Sequence, residues 1–181
     1  MELPEFEAER RKVVRNGLAA AIFSVAILAA ACAALPHRFA FPSDLSGTLA
    51  YALQWDIGIF VWVAVAIRMV SRGRLRSADD IRGSAFSPPS PKIAVESAFL
   101  QNTLEQAFIA VGAHLALATL PPGPHLSLIP AAVLLFAIGR ISFYLLYRNG
   151  AGGRAFGMVT TMVPTIVIYL YVVGSLAVGT M

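Results

Sequence analysis

The sequence predicts an all-α fold, a polytopic membrane helical bundle of five spans with its N-terminus in the cytoplasm. The first observation is composition. The 181 residues are 57% hydrophobic and 13% charged, with a mean hydropathy of +0.71, whereas a soluble domain is about a quarter charged. The second is length, since five apolar stretches each supply the roughly 20 helical residues that cross about 30 Å of hydrocarbon. The third is period: alternation of polar and apolar residues is missing from all five stretches, which argues against a barrel. The same composition argues against a soluble enzyme or a nucleic-acid partner, despite a pI near 9.6. A single cysteine, Cys32, provides no disulfide framework, and three histidines leave little for a structural metal site.

The spans are Gly17–Leu35, Leu49–Ile67, Ile93–Leu120, Leu126–Tyr147 and Ala155–Gly179. Each is expected to be a helix because lipid offers no partner for backbone N–H and C=O groups. Pro36 closes the first span, the Pro121-Pro122-Gly123-Pro124 hairpin joins the third to the fourth, and Gly150, Gly152 and Gly153 separate the fourth from the fifth. Pro164 is expected to kink the fifth span. The stretch from Arg68 to Lys92, with Pro88-Pro89-Ser90-Pro91, is too polar and proline-rich to be buried. Two units follow: residues 1–48, a tail with an additional span and an outer loop, and residues 49–181, a four-helix membrane domain.

Basic residues set the orientation, because Lys and Arg in short loops stay cytoplasmic. Arg10, Arg11, Lys12 and Arg15 precede span one. Arg68, Arg72, Arg74, Arg76, Arg82 and Lys92 lie between spans two and three, and Arg148 and Arg154 between spans four and five. Only Arg38 falls on the opposite side. The C-terminus is therefore expected outside, in an inner or plasma membrane. Small residues at Ala29-Ala30-Ala31-Cys32 also admit a cleaved signal, but Glu2, Glu5, Glu7 and Glu9 make its start unusually acidic.

Charged groups at membrane depth are costly unless paired, and so mark function. At about 1.5 Å per residue, Glu105 lies about 22 Å below the outer end of span three, and Arg140 about 21 Å below that of span four. An ion pair between them is the expectation. Asn102 sits one turn from Glu105, and Tyr144 and Tyr147 follow Arg140 at i+4 and i+7, giving an Arg-Tyr-Tyr stripe. Asp56 and His114 share a second level, about 10 Å from the outer surface. A structural hydrogen bond is the plainer reading of that pair, and a proton-linked role the sharper one.

The run Glu96-Ser-Ala-Phe-Leu-Gln-Asn102-Thr-Leu-Glu105, then Arg140-Ile-Ser-Phe-Tyr-Leu-Leu-Tyr147, then Arg154, resembles the MAPEG family, the membrane-associated proteins in eicosanoid and glutathione metabolism. The resemblance covers about residues 49–181. It implies a four-helix protomer assembling as a homotrimer, with glutathione or membrane lipid bound between subunits near the cytoplasmic face. By the same resemblance, Arg140 and Tyr147 would be catalytic, while Arg68, Asn102, Glu105, Tyr144, Arg148 and Arg154 would bind glutathione. A lipophilic small molecule would enter from the bilayer and meet the glutathione thiolate, in a transferase or peroxidase reaction. Gln101 and Ala98 stand where glutathione-using members carry arginine, and Phe143 where some carry histidine. Those departures keep a second reading open, a non-catalytic lipid-binding or scaffold subunit. A third, a small proton-coupled carrier, lacks the inverted repeat such folds show.

Overall fold

In the computed structural model, which describes residues 2–179, every regular element is helical. Five long helices follow in order: α1 (Leu3–Ala34), α2 (Leu45–Arg74), α3 (Ala94–Ala118), α4 (Leu128–Leu145) and α5 (Gly150–Ala177). Short 3₁₀ turns at Leu35–His37, Pro124–Ser127 and Tyr147–Asn149 make the tight connections. The helices outrun the apolar stretches where the flanking sequence is polar. Helix α1 begins well before Gly17, and α2 continues past Ile67 to carry Arg68, Arg72 and Arg74. Hydropathy marks the lipid boundary, whereas backbone hydrogen bonding continues into the aqueous layer. Asp44 starts α2 as an N-cap, accepting from the Gly47 N–H at 2.8 Å.

Four of the five helices are long and apolar enough to cross a membrane, and α3 is not among them. Its 25 residues reach about 37 Å, but Gln101, Asn102, Glu105, Gln106 and His114 lower its hydropathy. It packs against α2 and α5 within the bundle. Helix α5 is continuous through the buried Pro164.

The most extensive helix contact is α1 on α5, followed by α4 on α5 and α2 on α3. Close approach of α4 and α5 depends on facing glycines. A Cβ on Gly157 would strike the Phe143 backbone nitrogen and the Gly139 carbonyl, and one on Gly139 would meet Thr161 and the Gly157 carbonyl. Helix α1 is fastened at the start of α5: Glu9 Oε1 accepts from the Gly152 N–H at 2.7 Å, and Asn16 Nδ2 donates to the Gly152 carbonyl at 2.7 Å. The start of α1, the end of α2 and start of α3, and the α4–α5 junction thus share one end of the bundle.

At the other end Asp56 of α2 and His114 of α3 form a fully buried pair, Oδ1 to Nδ1 at 2.5 Å. Asp56 Oδ2 and His114 Nε2 are buried with no further partner among the described residues. Removing one member strands the other. His114→Leu is expected to cost about 3–5 kcal/mol, while Asp56→Leu with His114→Leu recovers most of that. Thermal unfolding in detergent checks both.

The connection from 75 to 93 is pinned by Asp80, which accepts from the Ser90 backbone N–H at 2.8 Å and hydroxyl at 2.6 Å. The Ser77 hydroxyl beside it, then these Ser90 donors, hold its carboxyl below the usual carboxylate range. A folded-state value below the unfolded one stabilises at neutral pH, and that contribution disappears as pH falls below about 4. Acid-protease cleavage within 75–93 is therefore expected to rise sharply below that pH, and Asp80→Asn to raise trypsin cleavage at Arg82 at neutral pH.

Candidate functional site

Arg140 is buried in full (0% exposed) among α3, α4 and α5. Its Nη1 donates to Asn102 Oδ1 at 2.7 Å and its Nη2 to Thr161 Oγ1 at 2.8 Å. Thr161 in turn donates to the Met158 carbonyl at 2.9 Å, so the hydroxyl is used in both directions. The guanidinium also lies over the rings of Phe143 (4.9 Å) and Phe136 (5.5 Å). Cation–π contacts of this kind contribute about 2 kcal/mol when desolvated. Among the described residues no carboxylate lies within ion-pair distance of it, so its charge is solvated by neutral groups only.

Glu105 is therefore not the partner of Arg140, against the sequence expectation. It is exposed and accepts from Gln101 Nε2 at 2.8 Å on its own helix. The reason is angular. Residues three apart on a helix are separated by about 60° and residues four apart by about 40°. The edge of the buried face of α3 runs between Asn102 and Glu105, and Gln101 falls on the outer side with Glu105. Equal depth is not equal azimuth.

An open cleft of about 420 Å³ lies beside this buried cation. Asn102, Phe143, Tyr147, Arg154 and Met158 line it, and Val13 of α1 contributes to its wall. The Arg154 guanidinium stacks over the Tyr147 ring at 4.9 Å, and that ring meets Phe143 edge-on at 5.4 Å. Asn102 Nδ2 donates to Met158 Sδ at 3.3 Å, leaving Asn102 held from both sides. Asn102, Tyr147 and Arg154 are thus brought together as expected. Arg140 stands behind Asn102, outside the lining.

The other candidates are elsewhere. Tyr144 turns away from the cleft and donates to Glu96 Oε1 at 3.2 Å. The Arg-Tyr-Tyr stripe does not form because α4 ends at Leu145, so Tyr147 belongs to the following turn. Arg68 and Arg148 are exposed and do not line the cleft. Sequence reasoning missed Thr161, Met158 and Val13. Thr161 sits within an apolar span, where one hydroxyl gives no signal, and Val13 precedes the apolar part of α1.

The sequence profile of the MAPEG family matches residues 48–174. The chain belongs to the MAPEG family. The cleft residues on α3, the turn after α4 and α5 all fall inside the matched region, and the α1 wall falls outside it. Among curated proteins, Transmembrane protein 79 of Mus musculus is 28% identical over 165 residues, covering 90% of this chain and 41% of that protein. A match of that extent leaves at most a tenth of this chain out, so it reaches into α1, ahead of the MAPEG region. The chain spans about two fifths of the length of that relative. No solved structure gives a significant match.

Proposed function

We propose that this MAPEG protein binds glutathione in the Asn102–Tyr147–Arg154 cleft and presents its thiolate to a lipophilic electrophile from the bilayer, as a transferase or peroxidase. The observation that carries the reading is a cleft with one lining cation, a second cation buried behind it, and no carboxylate on its walls. Glutathione brings two carboxylates and a thiol whose free pKa near 8.5 falls beside positive charge. Arg154 would take a carboxylate, and the Tyr147 hydroxyl would donate to the sulfur or a carboxylate. Asn102 would meet the peptide, and Arg140 would act as a positioning residue through Asn102. The thiolate attacks the electrophilic carbon, forming a C–S bond while the leaving group departs with its electron pair. With a hydroperoxide it attacks one peroxide oxygen instead, forming an S–O bond as the O–O bond breaks and the alkoxide leaves to take a proton; a second glutathione thiol then turns the sulfenic acid into the disulfide with loss of water.

In this reading the basic end of the bundle faces the cytoplasm. The assembly is a homotrimer. A carboxylate facing acyl chains is expensive, and Glu105 shares the outer face of α3 with Phe108, which is 83% exposed. Neighbouring copies covering that face would remove Glu105 from lipid. The second reading, a lipid-binding scaffold without turnover, draws on neutral Ala98 in the cleft wall and on the positions of Arg68 and Arg148 outside it. Titration calorimetry of purified, detergent-solubilised protein separates the two. Saturable heat with millimolar glutathione is expected, and silence over that range leaves the scaffold reading.

A further inference from the structure

A second polar pocket opens at the same end of the bundle, between the end of α2, the start of α3 and the end of α4. It has a volume of about 220 Å³, and Arg72, Arg76, Lys92, Glu96 and Tyr144 supply its polar lining. It shares no lining residue with the cleft described above. Its charge pattern is specific, three cations and one carboxylate. Glu96 Oε1 is occupied by the Tyr144 hydroxyl, whereas Glu96 Oε2 is buried with no hydrogen-bond partner among the described residues. Lys92 is held loosely, in an exposed ion pair with Asp79 at 3.6 Å.

A buried carboxylate oxygen without a donor is a vacancy for N–H groups, because leaving it unmade costs its full desolvation. The three cations that line the same pocket would bind an anion, and an anion alone leaves that oxygen unanswered. Both demands are met by one zwitterion, a phosphate joined through two carbons to a primary ammonium. The volume equals about seven water molecules at roughly 30 Å³ each, enough for such a group. The pocket lies where the polar α2–α3 connection meets the apolar bundle, the level that lipid headgroups would take around spans of this length. Leu75 and Leu145 are 73% and 69% exposed close in sequence to its lining residues, as a surface for acyl chains requires.

We propose that this pocket binds the headgroup of a phosphatidylethanolamine lipid, with the phosphate on Arg72, Arg76 and Lys92 and the ammonium on Glu96. A choline headgroup carries no N–H to offer Glu96, and a glycerol headgroup carries no positive charge. The ammonium–carboxylate contact therefore decides between lipids, while the cations set affinity for all of them.

The test reconstitutes the full chain in nanodiscs holding equal amounts of phosphatidylethanolamine, phosphatidylcholine and phosphatidylglycerol. Native mass spectrometry then counts the lipids each protein retains. The wild-type chain is expected to hold phosphatidylethanolamine roughly tenfold over the other two, the ratio of one charge-assisted hydrogen bond. Glu96→Gln keeps an acceptor for Tyr144, so folding is preserved and only the preference is lost. Arg72→Gln with Arg76→Gln lowers retention of all three lipids. Soluble phosphoethanolamine at millimolar concentration leaves the lipid in place. Phosphatidylglycerol held as well as phosphatidylethanolamine by the wild type, or an undiminished preference in Glu96→Gln, overturns the proposal. Displacement by the soluble compound assigns the pocket to that compound and overturns the lipid assignment. None of these readouts depends on glutathione.

Discussion

Asn102→Leu is expected to destabilise the protein by about 2–3 kcal/mol, the range for losing a hydrogen bond to a charged group. Leucine matches asparagine in shape, so the loss is one of polarity. It removes the acceptor of Arg140 Nη1, 2.7 Å away, in a site where no carboxylate balances the guanidinium. Arg140→Met in the same chain is then expected to restore all but about 1 kcal/mol, because replacing a buried polar set whole is far cheaper than breaking it. Thr161 is not stranded by that change, since its hydroxyl keeps the Met158 carbonyl. Glu105→Gln, which touches neither partner and keeps an acceptor for Gln101, is expected to leave the coupling between Asn102 and Arg140 unchanged. Reversible unfolding in mixed micelles measures the set. Additive losses in the double variant would mean that Asn102 and Arg140 are not coupled.

Gly157→Ala is expected to have the largest effect of any single methyl in the chain. The added carbon meets the α4 backbone at two groups of one helical turn, the Phe143 nitrogen and the Gly139 carbonyl, and backbone cannot rotate away as a side chain can. Overpacking of this kind costs typically about 1–3 kcal/mol, and here α4 and α5 must separate to accommodate it. Separation moves Phe143 and Tyr147 away from Arg154 and Met158, so the cleft widens along with the loss in stability. Gly174→Ala, with nothing near its Cβ position, is the matched control on the same helix. Disulfide trapping between cysteines introduced on α4 and α5 reads the separation directly. Equal trapping in Gly157→Ala and wild type would contradict the packing described.

These two sites also show what could be read from the sequence and what could not. Four of the five helices were legible because a span of about 20 apolar residues is a requirement of the bilayer, whereas α3 carries its helix through a more polar stretch. The pairing of Arg140 with Asn102 was within reach, since both residues were singled out at one depth. Which of Asn102 and Glu105 would receive it was not, because a 60° difference around α3 depends on how α2, α4 and α5 surround it. Tyr144 and Tyr147 read as one stripe only while the helix was assumed to continue; the turn at Leu146 separates them. The Asp56–His114 contact followed from depth alone, as both residues face the bundle core. The role of α1 was invisible, because Glu9 and Asn16 reach Gly152 through backbone groups that leave no mark in residue type.

Glutathione titrated calorimetrically into wild-type protein and into Arg154→Gln, in the same detergent and with oligomeric mass followed in parallel, tests the cleft most directly. Arg154 lines the cleft and, among the described residues, makes no hydrogen bond or ion pair beyond its stacking on Tyr147, so the variant should assemble as wild type does. Saturable binding by wild type that weakens at least tenfold in Arg154→Gln, about the worth of one charge-assisted hydrogen bond, is the predicted result. Equal affinity in the two proteins, or no heat from either at millimolar glutathione, would contradict it.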